Sequence, residues 1–79
     1  MRAKIRLDTS SDAINFAHIT SQLKGKIVVK DGNGFCVNAI SVLGALHALE
    51  FNELWVESEN DIWMKIKDFI IIEPEIKED

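Results

Sequence analysis

Four residues near the middle of the chain, Asp31-Gly32-Asn33-Gly34, constrain its fold more than any others. The glycines and Asn33 tolerate positive φ, so the segment predicts a tight reversal of direction. On either side stand Lys26-Ile27-Val28-Val29-Lys30 and Phe35-Cys36-Val37-Asn38, both rich in residues that suit a pleated surface. The three pieces together predict a β-hairpin. A glycine-rich segment can also cradle phosphate, but such a loop joins a strand to a helix and carries Lys-Ser/Thr, and this one does neither.

Alternation and helical spacing place the remaining elements. Ala3, Ile5 and Leu7 alternate with Arg2, Lys4 and Arg6, the pattern of a half-buried strand. Thr9-Ser10-Ser11-Asp12 offers hydroxyls and a carboxylate to the free N–H groups of a helix start. From Asp12 to Leu23, Ala13, Phe16, Ala17, Ile19 and Leu23 share one helical face, and Gly25 is a natural stop after Lys24. A short helix fits Ser41 to Leu49, with Val42, Ala45, Leu46 and Leu49 directed inward and Leu43 and His47 to the side. Leu54-Trp55-Val56-Glu57 predicts a fourth strand. Asn60 is placed to cap a last helix whose face is Ile62, Trp63, Ile66, Phe69 and Ile70. Pro74 ends regular structure, and residues 73–79 are expected to fray. The order is βαββαβα, which predicts a single α+β domain over residues 1–79. Helices cover one face of an antiparallel sheet and water meets the other.

Composition narrows the function. A chain of 79 residues buries only ~60% of its unfolded surface, which makes a deep catalytic cleft hard to build. Hydrophobic residues at 47% and charged residues at 28% fit a globular domain and not a disordered one. The net charge of −4 opposes sequence-blind nucleic-acid binding, which needs a basic face. The longest apolar run, Phe69-Ile70-Ile71-Ile72, is far too short to cross a bilayer. Met1-Arg2-Ala3-Lys4 leads into alternation and not into a signal-peptide core. The lone Cys36 fits a reducing compartment, so a cytoplasmic location is expected.

Each side chain that could carry chemistry has a competing structural role. His18 falls opposite the Phe16/Leu23 stripe, in mid-helix, where a phosphohistidine would lack backbone donors and a nearby cation, so it reads as a solvated surface residue. His47 is read in two ways: a polar residue flanking the helix, or part of a contact patch with Leu43. Cys36 has no second Cys or His at ligand spacing, so no metal site is expected, and it reads as a strand residue. Trp55 points away from the helices with Glu53 and Glu57. If the first strand neighbours the fourth, Lys4 and Arg6 lie beside them as ion pairs and a cation–π contact. Ser41 is positioned to N-cap the short helix, and the same free N–H groups and helix dipole would welcome a phosphate there.

The stretch Val37-Asn38-Ala39-Ile40-Ser41-Val42-Leu43-Gly44-Ala45-Leu46 resembles the regulatory-serine segment of HPr, the small phosphocarrier of the bacterial sugar phosphotransferase system. In that family a Val-Asn pair ends the third strand. A serine then starts a short helix and is followed by two aliphatics and a glycine. The preceding hairpin, the element order and the chain length are also similar, over residues 1 to about 72. The resemblance implies an open-faced sandwich with strand order 1-4-2-3. It names Ser41 as a phosphoacceptor candidate and the aliphatics Val42, Leu43 and Leu46 as partner contacts, which His47 joins by its place one turn from Leu43. The partners it implies are other proteins, an HPr-type serine kinase or a transcriptional repressor, with no cofactor.

The chain departs from that family where histidine phosphotransfer happens. The family's Gly-x-His-x-Arg-Pro loop is replaced by Thr9-Ser10-Ser11-Asp12-Ala13-Ile14, and the lysine usual before the serine is Ile40. The expectation is therefore a regulatory, protein-binding relative and not an enzyme or phosphocarrier. It is similar to the HPr paralogues that lose the histidine, keep the serine and bind a repressor. A ferredoxin-like βαββαβ binding domain is the rival, with strand order 4-1-3-2. An acylphosphatase-type enzyme would need an arginine-bearing phosphate loop after the first strand, where Leu7-Asp8-Thr9-Ser10 stands.

Overall fold

The structure, a computed structural model, describes residues 1–71. Ile72 and the expected frayed segment 73–79 lie outside the described residues. The elements run β1 (Arg2–Ile5), α1 (Ser10–Thr20), β2 (Ile27–Lys30), β3 (Cys36–Asn38), α2 (Val42–Ala48), β4 (Leu54–Ser58) and α3 (Trp63–Ile66), closing with a 3-10 turn over Lys67–Phe69. The four strands form one antiparallel sheet in the order β1-β4-β2-β3. In the rival arrangement the first strand would pair with the third. Here it pairs with β4, in the register Arg2–Glu57, Ala3–Val56, Lys4–Trp55 and Ile5–Leu54.

Alternation makes the sheet two-faced. Ala3, Ile5, Ile27, Val29, Leu54 and Val56 are buried under the helices, and Arg2, Lys4, Val28, Lys30, Trp55 and Glu57 take the other face. Ala13, Phe16 and Ala17 of α1, Ala45 and Ala48 of α2 and Ile66 of α3 pack on the buried face, with Leu7, Ala39 and Ile62 from the connections, and Phe16 is edge-on to Phe69 at 5.2 Å between ring centroids.

The hairpin forms where the turn residues place it. Asp31 Oδ1 accepts from the N–H groups of Asn33 and Phe35, at 2.6 and 3.1 Å. Gly32 and Gly34 alone supply positive φ there, at +87° and +105°; Asn33 does not. Phe35 falls just outside the strand and is exposed.

Three expected boundaries move. α1 stops at Thr20 and not at Lys24: the Gln22 and Leu23 N–H groups bond carbonyls three residues back, Ile19 O and Thr20 O, at 3.1 and 3.0 Å, and the chain continues as turns, while the buried Thr20 hydroxyl donates to Ala39 O at 2.7 Å. Gly25 instead serves the entrance to β2: at φ +90°, an added Cβ would stand 2.7 Å from the Asn60 amide nitrogen. Asn60 does not cap the last helix, since its side chain donates to Lys24 O at 3.0 Å, and Asp61 Oδ1 receives the Trp63 N–H.

The expected face of the last helix is also divided. Ile62 and Ile66 are buried, but Trp63 is 39% exposed. Ile70 leaves the helix altogether to bridge Ile5. Arg6 N–H donates to Phe69 O at 2.8 Å and Ile71 N–H to Lys4 O at 2.9 Å. Covering the free edge of β1 in this way satisfies backbone groups that a longer helix would leave open.

Candidate functional site

The surface around the start of α2 is built from the end of β3 upward. Asn38 closes that strand, and its Oδ1 accepts from the Ile40 N–H at 3.0 Å. Ala39 is fully buried, its N–H donates to Ile27 O at 3.0 Å, and its carbonyl accepts from Thr20. The turn that follows is therefore tied to both β2 and α1. Ser41 begins α2 as N-cap, with extended backbone and its Oγ accepting from the Gly44 N–H at 3.2 Å.

Gly44 explains how closely this helix sits. A Cβ at that position would overlap the Asn38 carbonyl oxygen. With the helix so near the sheet, only small side chains fit beneath it, and Ala45 and Ala48 are the fully buried ones. Leu46 and Leu49 are half-buried at the flank of the core. Val42, expected inward, is 45% exposed. The buried side of α2 is taken by Ala45 and Ala48, and Val42 lies off it.

The result is an outward apolar surface. Leu43 is 78% exposed, and Val42 and Ile40 at 41% flank it. His47 lies one turn beyond Leu43, exposed, with its ring 6.3 Å from that of Phe51. The structure thus brings Ser41, Val42, Leu43 and His47 together on the surface and turns Leu46 partly into the core. Ile40 belongs to the same surface and was not expected there. The signal for it was its place between Ala39, which must be buried, and the helix cap.

The start of α1 is a different environment. Thr9 Oγ1 accepts from the Asp12 N–H at 3.1 Å, and Asp12 Oδ2 accepts in turn from the Asp8 N–H at 3.0 Å. An open groove of about 470 Å³ beside it is lined by Asp8, Asp12, Asp68 and Arg6, with Asn15 and the chain from Phe69 to Ile71. Arg6 Nε stands 3.6 Å from Asp8 Oδ1. His18 is in the last turn of α1, exposed, with Nε2 3.3 Å from the side-chain nitrogen of Gln22.

The open face of the sheet carries the ionic groups. Glu57 accepts from Arg2 Nε at 3.1 Å and from Lys30 Nζ at 2.9 Å. The Lys30 hydrogen bond, with its charge and Arg2 adding to it, holds the Glu57 carboxyl below the usual carboxylate range, although partial desolvation opposes this. The Arg2 guanidinium lies 4.1 Å from the centroid of the Trp55 ring and Lys4 Nζ 5.8 Å. Trp55 Nε1 donates to Glu53 Oε1 at 2.8 Å.

The expected match of Lys4 and Arg6 with Glu53 and Glu57 is therefore altered. Arg2 and Lys30 take Glu57, while Arg6 lies beyond β1 and pairs with Asp8. Cys36 is an exposed free thiol on β3. Among the described residues, no group of three or more His, Cys, Asp and Glu is arranged to hold a metal ion, and no helix is long and apolar enough to cross a membrane.

Compared with known proteins, this chain matches no family model, no curated protein and no solved structure.

Proposed function

We propose that this chain is an HPr-like regulatory module that docks other proteins through the apolar surface at the start of α2. Val42, Leu43 and His47 are its contact residues, and Leu46 supports them from the flank of the core. The observation that carries this reading is Leu43. It stands 78% exposed on a helix whose seat is fixed by the Ser41 cap and by the contact of Gly44 with Asn38. A large aliphatic held outward on a rigid support adds little to stability and suits a partner's apolar surface. The sheet order β1-β4-β2-β3, and the closing of β3 by Val37-Asn38 before Ser41, are what the resemblance to HPr implies.

In this reading the chain does not carry phosphate on histidine. The start of α1 holds two carboxylates, Asp8 and Asp12, with Asp68 beside the same groove and one arginine against them. That balance repels a phosphoryl dianion. His18 lies in the last turn of the helix, at the negative end of its dipole and away from the N–H groups that open α1. Control falls to Ser41, whose hydroxyl sits beside the apolar surface. Phosphate there would add roughly −1.5 to −2 charge to a contact that otherwise has none.

The experiment uses purified HPr-type serine kinase with ATP, and the repressor that binds the family's serine-phosphorylated members. The expected results are phosphate on Ser41 by mass spectrometry, absent from Ser41→Ala, and a repressor complex lost in Leu43→Asp. Incubation with phosphoenolpyruvate and Enzyme I is expected to leave His18 and His47 unmodified. An acid-labile phosphate on either histidine would overturn the regulatory reading, as would a kinase and a repressor that both ignore the protein.

A further inference from the structure

We draw no further inference here: the strongest candidate, the groove across the open face of the sheet between Arg2, Lys26, Lys30 and Cys36, is a mixed-charge surface for which nothing in the structure shows what covers it.

Discussion

The starts of α1 and α2 share one device and differ in everything around it. Each helix opens on a hydroxyl residue, Thr9 or Ser41, whose oxygen accepts the N–H three positions on, at 3.1 and 3.2 Å. At α1 the third residue is Asp12 and its neighbours are Asp8, Asp68 and Arg6. At α2 it is Gly44, and from Gly32 to Leu49 the sequence has no charged residue at all. The cap itself is generic chemistry that serves any helix. What separates the two ends is what stands beside the cap: acids that repel anions at one, aliphatics held outward at the other. The difference rests on the close seat of α2, so the seat is the first thing to break.

Gly44→Ala is expected to have the largest effect. In an isolated helix the change would stabilise by ~1 kcal/mol. Here the new methyl group would overlap the Asn38 carbonyl oxygen, and α2 would have to lift from β3. The expected net loss is ~1–3 kcal/mol, the usual range for overpacking, read by urea denaturation. A variant as stable as the parent, or more so, would mean that the helix is not seated as described and that the outward set of Leu43 has another cause.

The caps come next and should be nearly equal. Thr9→Ala and Ser41→Ala should each cost ~1 kcal/mol in the same assay. Ser41→Asp should keep the stability that Ser41→Ala loses, because a carboxylate also caps and suits the helix dipole. Thr9→Asp should recover less, since the new charge joins Asp8 and Asp12. Equal rescue at both ends would show that the acids beside α1 do not shape its field.

Much of this architecture is legible in the residues themselves. Period-two alternation in Arg2 to Leu7 and in Leu54 to Glu57 separates the two faces of the sheet, and the chain reverses at Asp31 to Gly34 as the glycines require. The capping roles of Thr9 and Ser41 are equally local. What local pattern does not contain is distance between elements. Helical spacing assigns Val42 inward because it counts apolar positions, but how near α2 lies to β3 depends on a contact between Gly44 and Asn38 across a turn. The last apolar segment fails for a related reason. Ile62 to Ile70 has helical spacing, yet Ile70 is claimed by the edge of β1, more than sixty positions away in sequence. Arg6 likewise continues the alternation of β1 but lies past its end, where Asp8 is the nearer partner.

Acid titration offers a smaller, independent control on the open face, away from both helix starts. The Glu57 carboxyl is held below its ordinary range in the folded protein by Lys30 and Arg2. Its contribution to stability is therefore present at neutral pH. It is lost as pH falls from the ordinary carboxylate range through the lowered folded value, because the unfolded chain takes up the proton first. Glu57→Gln should flatten that part of the stability curve, and added salt should do so partly, since the pair is exposed. If the acid slope is unchanged in Glu57→Gln, other carboxylates carry it, and those beside α1 become the first to test.

The smallest expected change in stability is the one that matters most for function. Leu43 is 78% exposed, so its side chain gains little from the core, and an aspartate in its place meets water. The new carboxylate lies in the first turn of α2, where the helix dipole favours negative charge by ~0.3–1 kcal/mol. That gain offsets the slightly poorer helix propensity of aspartate, which costs ~0.7 kcal/mol or less. Leu43→Asp should therefore melt within a few degrees of the parent. Leu46→Asp, one turn on and half-buried against the core, should melt well below it, because its charge must stay near apolar neighbours or pull the helix away. Binding should order the same two variants differently: Leu43→Asp folds but binds no partner, so affinity and stability separate at a single residue. If both variants melt alike, Leu43 contributes to the core and the apolar surface at the start of α2 is not a docking site.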